Sequence, residues 1–255
     1  GLDGIPTKIV YTSAARNLGQ DVIPVLLTEN ERIYSFDEAY IHIDEADSLL
    51  LDNEFFIYGG LRPTVKIQYY STASNVFFGG VLRTLKEKTF GSWNIEITEV
   101  KGKDTPATEG FDFYIFEHTV PKVLPKDGII FLVNPDSSAD AGFSIVRRNV
   151  QVTDYDGDGA SLAIGDGEHP LVRYMDVEGI KVTQYSQVDE ASLERYDVLM
   201  YYEGNPVFFA RNEADSKIAV MTFSLNMSTL ALSVYYPILI YNMFNYYLPS
   251  TLTED

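Results

Sequence analysis

The chain has 255 residues, 45% of them hydrophobic and 13% aromatic, enough to bury a substantial core and too many for a disordered chain. Its 19 basic residues stand against 37 acidic ones, a net charge of −18, which argues against a basic face for nucleic acid or anionic lipid. It has no cysteine, so disulfides, thiolate metal sites and cysteine nucleophiles are excluded together.

Residues 1–59 read as a small β-rich segment. Short β-type runs lie at Lys8–Thr12, Val22–Leu27, Glu31–Tyr34 and Ala39–Ile43. Turn-prone clusters such as Thr28-Glu29-Asn30 separate them, which is the pattern of antiparallel strands. Pro24 confines the second run to a sheet edge. A further strand is expected at Phe55–Tyr58, before Gly59-Gly60 breaks the pattern. So few short strands suit the tail of a β-sandwich, or an extension docked on the next domain.

From residue 60 to 255 the period changes to that of one α/β domain. Val65–Tyr70 reads as a strand, and Ser71–Asn75 as a loop rich in helix-capping residues. Phe77, Phe78, Val81, Leu82 and Leu85 then recur at helical spacing. Gly79-Gly80 inside this helix costs roughly 1–2 kcal/mol of propensity, so a close helix-on-sheet contact is expected to offset it. Trp93–Thr98 gives the next strand. Phe111–Phe116 and Ile129–Val133 are short, dense apolar runs joined by a Pro-rich connector with no room for a long helix. Runs of that kind suit strands covered on both faces. Strands are expected next at Phe143–Val152 and Gly179–Tyr185, then a short helix at Asp189–Tyr196. Asp197–Tyr202 and Pro206–Ala210 read as strands about a turn at Gly204-Asn205. No charge occurs from Ile218 to Thr253, a length that could span a bilayer. Ser224, Asn226, Asn242 and Pro237 within it favour a buried strand at Ile218–Leu225 and a core-packed helix at Tyr235–Tyr247.

The polar residues just beyond the apolar runs are the first candidates for a site, because ligands of open α/β sheets bind at strand ends. They are Glu117-His118-Thr119 and Asn134-Pro135-Asp136, together with Ser71, Ser74 and Asn75 in the loop before the helix. That loop could hold an anion, although helix capping accounts for the same residues. His118 could serve as a general base; the plainer reading is a histidine hydrogen-bonded within its loop. Asp154, Asp156 and Asp158 before Gly159 begin like a calcium loop, making calcium the one candidate cofactor. The match ends there, since Gly165 stands where a bidentate Glu is needed, and a tight turn explains the same residues. Gly159-Ala160-Ser161-Leu162-Ala163 approximates a nucleophile elbow, but an acidic turn precedes it instead of a buried strand, which rejects the motif. The three histidines, His42, His118 and His169, show no metal-ligand spacing.

Several segments resemble a region of large bacterial membrane proteins that carry BatA-like and von Willebrand factor A domains. They are Leu51-Asp52-Asn53-Glu54-Phe55, Val65–Leu85, Asp112–Phe116 with Pro121 and Leu124-Pro125, and Gly128–Pro135. His169-Pro170-Leu171, Ser228, Pro237 and Asn242 complete the set. The resemblance covers about residues 50–248 and implies a class I glutamine amidotransferase-like domain outside the membrane. Such amidotransferases need a cysteine on a strand-to-helix elbow, which this chain lacks, so the likeness implies a scaffold without that activity.

The expected fold is therefore α/β, a three-layer flavodoxin-like or amidotransferase-like domain with a mostly parallel sheet. The expected function is non-catalytic: protein–protein or ligand binding by a soluble, extracytoplasmic part of a membrane-anchored bacterial surface protein. The expected partner is a protein with basic patches, with no nucleic acid and no direct lipid contact, and with membrane attachment supplied by segments outside these residues. The alternatives are a metal-assisted hydrolase using Asp, Glu and His at the strand ends, and a structural spacer.

Overall fold

The computed structural model describes residues 38–42, 54–58, 64–72, 76–87, 93–152, 161–213 and 216–248. The chain divides into two compact units, 1–61 and 62–255. In the first, β1 (Glu38–His42) pairs antiparallel with β2 (Glu54–Tyr58), Glu38 opposite Tyr58 and His42 opposite Glu54. These are two of the expected strands. The runs at Lys8–Thr12, Val22–Leu27 and Glu31–Tyr34 lie outside the described residues.

The second unit opens with β3 (Thr64–Ser71), α1 (Val76–Glu87) and β4 (Asn94–Lys101), succeeded by β5 (Phe113–Glu117) and β6 (Ile129–Val133). Then come β7 (Ile145–Gln151), β8 (Leu162–Ile164), β9 (Gln184–Val188), β10 (Asp197–Tyr202), β11 (Asn205–Glu213), β12 (Ser216–Met221) and α2 (Tyr235–Tyr247). Eight strands form one sheet in the order β4-β3-β5-β6-β12-β11-β10-β8, while β7 and β9 pair by themselves. Every residue of β5 and β6 is buried, as their unbroken apolar runs require.

The expectation of a mostly parallel sheet needs correction. β4, β3, β5, β6 and β12 are parallel, but β12, β11, β10 and β8 are antiparallel, so the sheet is mixed. Short connections are the reason, because parallel neighbours need a crossover of a dozen residues or more. Glu203 (φ 49°) and Gly204 (φ 76°) form the two-residue turn between β10 and β11, one residue earlier than expected. Only residues 214–215 separate β11 from β12. The strand expected at Gly179–Tyr185 also moves, to β9, because Gly179 (φ 77°) is spent in a turn.

Among the described residues the two faces of the sheet are covered differently. α1 and α2 both cover the same face of the sheet, where Phe78 and Tyr236 pack with Ile67, Phe113, Ile115 and Phe131. The Phe78 ring lies 5.5 Å from Tyr69, 6.0 Å from Phe131 and 5.6 Å from Tyr236. The opposite face presents Tyr114, Phe116, Ile130, Leu132 and Val220, and connecting segments cover it through Ala141, Phe143, Leu193 and Tyr196. Among the described residues no α-helix lies on that side. Gln68 fastens one such connection, its amide donating to the Ala107 carbonyl (3.1 Å) and accepting from the Ala107 N–H (2.8 Å). Asp189 caps the 3-10 turn Glu190–Leu193 that brings Leu193 and Tyr196 onto the sheet.

The uncharged stretch forms β12 and α2, and no described helix is long and apolar enough to cross a membrane. Pro237 falls in the first turn of α2, where its missing N–H costs nothing.

Candidate functional site

The parallel strands end together. Ser71 of β3 lies opposite Glu117 of β5, Glu117 opposite Val133 of β6, and Val133 opposite Met221 of β12. One residue further, the His118 N–H donates to the Val133 carbonyl (2.8 Å) and the Asn134 N–H to the Met221 carbonyl (2.7 Å). His118 (φ 59°) and Asn134 (φ 46°) are both left-handed there, a conformation that Asn and His tolerate better than most side chains. The row Ser71, Glu117, His118, Asn134 and Thr222 thus forms one polar edge above an apolar sheet.

Glu117 is 0% exposed. Its carboxylate accepts hydrogen bonds from the Tyr69 hydroxyl (2.7 Å) and the Ser71 hydroxyl (3.1 Å), both at Oε2. Burial, and after it the charge of Glu117, pushes the Tyr69 phenol far above its ordinary value. Tyr236, in the first turn of α2, is pushed well up by burial first and then by Glu117 and Tyr69. Its hydroxyl and that of Thr222 are buried and have no hydrogen-bond partner among the described residues.

His118 is tethered on both sides. Its Nδ1 lies 3.1 Å from Asn134 Nδ2, and Ser186 Oγ donates to Asn134 Oδ1 over 3.4 Å. With Oδ1 accepting from Ser186, the Asn134 amide nitrogen is the donor and Nδ1 of His118 the acceptor. The neutral ring then carries its proton on Nε2, which faces Glu117 Oε1 at 3.8 Å. Ser186 is held in turn, its N–H donating to the Thr222 carbonyl (2.8 Å). Such an edge can grip a polar group. As arranged, neither histidine nitrogen offers a lone pair to an incoming substrate.

Of the residues read from the sequence, Ser71, Glu117, His118 and Asn134 come together. Ser74 and Asn75 lie outside the described residues, as do Asp154, Asp156 and Asp158 of the candidate calcium loop. Among the described residues no three His, Asp or Glu side chains are grouped to hold a metal ion. The segment after Asn134 faces elsewhere: Asp136 pairs with Arg148, and Ser137 Oγ accepts from the Ile145 N–H (2.8 Å). Tyr69, Ser186, Thr222 and Tyr236 were not singled out from the sequence. Thr222 had a usable signal, since it comes directly after a buried strand, as Glu117-His118 and Asn134 do. Ser186, in a short strand of the separate β7–β9 pair, had none. Beside Ser71 an open depression of about 520 Å³ is lined by Thr72, Lys101, Gly102, Lys103 and Asp104.

No family model matches the chain, and no curated protein matches it in sequence. Solved structures do. A cytoplasmic protein of Salmonella typhimurium is 9% identical, with TM-score 0.49, over 72% of this chain and 99% of its own. A ThuA-like protein of Parabacteroides merdae is 11% identical, with TM-score 0.48, over 75% of this chain and 92% of its own. A GMP synthase protein of Thermoplasma acidophilum is 11% identical, with TM-score 0.45, over 71% of this chain and 96% of its own. At such identities and TM-scores these likenesses carry no argument about activity. None bears on an association with BatA-like or von Willebrand factor A domains. The expected extracytoplasmic location is corrected at this point: the Salmonella neighbour is itself named a cytoplasmic protein, and the cell-surface placement is withdrawn.

Proposed function

We propose that residues 62–255 form a non-catalytic binding domain that holds a polar ligand group at the shared end of β3, β5, β6 and β12. One observation supports this most: Nδ1 of His118 accepts from Asn134 and the ring proton sits on Nε2, 3.8 Å from Glu117 Oε1, so neither nitrogen presents a free lone pair. A general base needs a free lone pair within reach of the proton it takes. The enclosed Glu117 carboxylate, satisfied by Tyr69 and Ser71, acts as a fixed anchor for that ring. The lack of the amidotransferase thiol accords with the same reading.

The second reading is a hydrolase, and the approach of His118 to Glu117 is what favours it. Its metal-assisted form would use calcium at Asp154, Asp156 and Asp158. A panel of nitrophenyl esters, phosphates and glycosides, with and without calcium, separates the two. The binding reading expects no turnover above buffer and no calcium-dependent rise in melting temperature. Turnover lost in His118→Ala would overturn it, and a melting shift lost in Asp156→Ala would establish the calcium site.

A further inference from the structure

Arg211 lies toward the opposite end of the sheet from Glu117: it pairs with Ile218, next to Lys217, which lies opposite the first residue of β6. Its side chain is only 6% exposed. A guanidinium keeps its charge at any accessible pH, so burying one demands compensation. Among the described residues no carboxylate lies within ion-pair distance of it. Its Nε–H donates to Ser216 Oγ (2.9 Å), and its central carbon sits 5.1 Å from the centre of the Tyr196 ring. That ring is fixed by its hydroxyl, which donates to the Ala141 carbonyl. A cation–π contact and one neutral acceptor offset only part of what water would supply.

Burial raises the Tyr196 phenol, Arg211 and Arg195 both act to lower it, and Glu213 is the one charge that opposes them. Glu213 is already held by Arg195. Gly142 passes close to the fork, where a Cβ would lie 3.4 Å from Arg211 Nη1.

We propose that Arg211 is the receptor of a compact oxyanion, a carboxylate or phosphate group, bound end-on by its two Nη groups. Ser216 occupies Nε and the Tyr196 ring sets the plane, which leaves the Nη pair as a fixed two-pronged donor of the kind that matches such anions. This site is independent of the strand-end row and stands or falls without it.

Thermal melting at constant ionic strength tests it, with inorganic phosphate or acetate replacing chloride. Phosphate, acetate or both are expected to raise the melting temperature of the wild type by a few degrees at concentrations where chloride has no effect. The rise should be lost in Arg211→Met and weakened in Arg211→Lys, which keeps the charge without the fork. A response to one anion alone identifies the class. No rise with either anion, or a rise that survives in Arg211→Met, overturns the proposal. If Arg211→Met does not fold, the Arg211 Nε–H resonance of the wild type decides: a shift on adding phosphate or acetate supports the site, and an unmoved signal with both refutes it.

Discussion

Two buried tyrosine hydroxyls, Tyr69 and Tyr236, sit near the same carboxylate and should respond to deletion in opposite ways. Tyr69 donates to Glu117, so Tyr69→Phe leaves a buried anion one donor short. Hydrogen bonds to charged groups contribute roughly 1.5–3 kcal/mol, and Tyr69→Phe should lose about that much stability in urea unfolding. Tyr236→Phe removes a hydroxyl that has no partner among the described residues, and should be neutral or slightly stabilising. Equal losses in the two variants would show that the carboxylate does not distinguish the phenols, and the anchor role given to Glu117 would go with it.

At the scale of elements the glycines separate a tolerated cost from a required one. Among the described residues the close helix-on-sheet contact expected at Gly79-Gly80 is not seen: a Cβ at Gly79 would meet the Arg83 side chain, at 3.5 Å, and one at Gly80 nothing within 4 Å. Gly80→Ala should therefore stabilise α1 by about 1 kcal/mol, the propensity difference in a helix interior. Gly128, just before β6, is the contrary case. At φ +68° its Cβ would stand 2.4 Å from the Phe111 carbonyl oxygen and 2.8 Å from that of Asp112. Gly128→Ala should destabilise well beyond Gly179→Ala, where φ is +77° but no atom lies within 4 Å. Urea midpoints of the three variants give the ranking directly.

For the molecule as a whole, buried phenols set an alkaline limit. Tyr69, Tyr114, Tyr236 and Tyr247 are all pushed far above the ordinary tyrosine value, and Tyr196 up to about 12, in every case chiefly by burial. A folded state that keeps these protons loses ground once the unfolded chain can release them. Stability is therefore complete below the ordinary phenol value of 10.0 and falls as pH rises above it. Tyrosinate absorbance from these rings should appear together with loss of structure in an alkaline titration. Ionisation of the buried set in a chain that remains folded would contradict the burial that defines the core.

Some of this was settled by the chain alone. β6 and α2 carry their bounds in the sequence, because a five-residue apolar run has to be covered on both sides and an uncharged, largely apolar run has to pack. The polar residues just beyond those runs mark the edge where Glu117, His118 and Asn134 meet, for the same reason: nothing apolar remains there to extend the strand. Which partner each strand takes was decided only in three dimensions, since the pairing of β12 with β6 joins residues far apart in sequence, as does that of β3 with β5. Tyr69, Ser186 and Tyr236 reach the site through that register, and Arg211 is left by it without a carboxylate among the described residues, because contact between distant segments depends on packing that linear spacing does not encode.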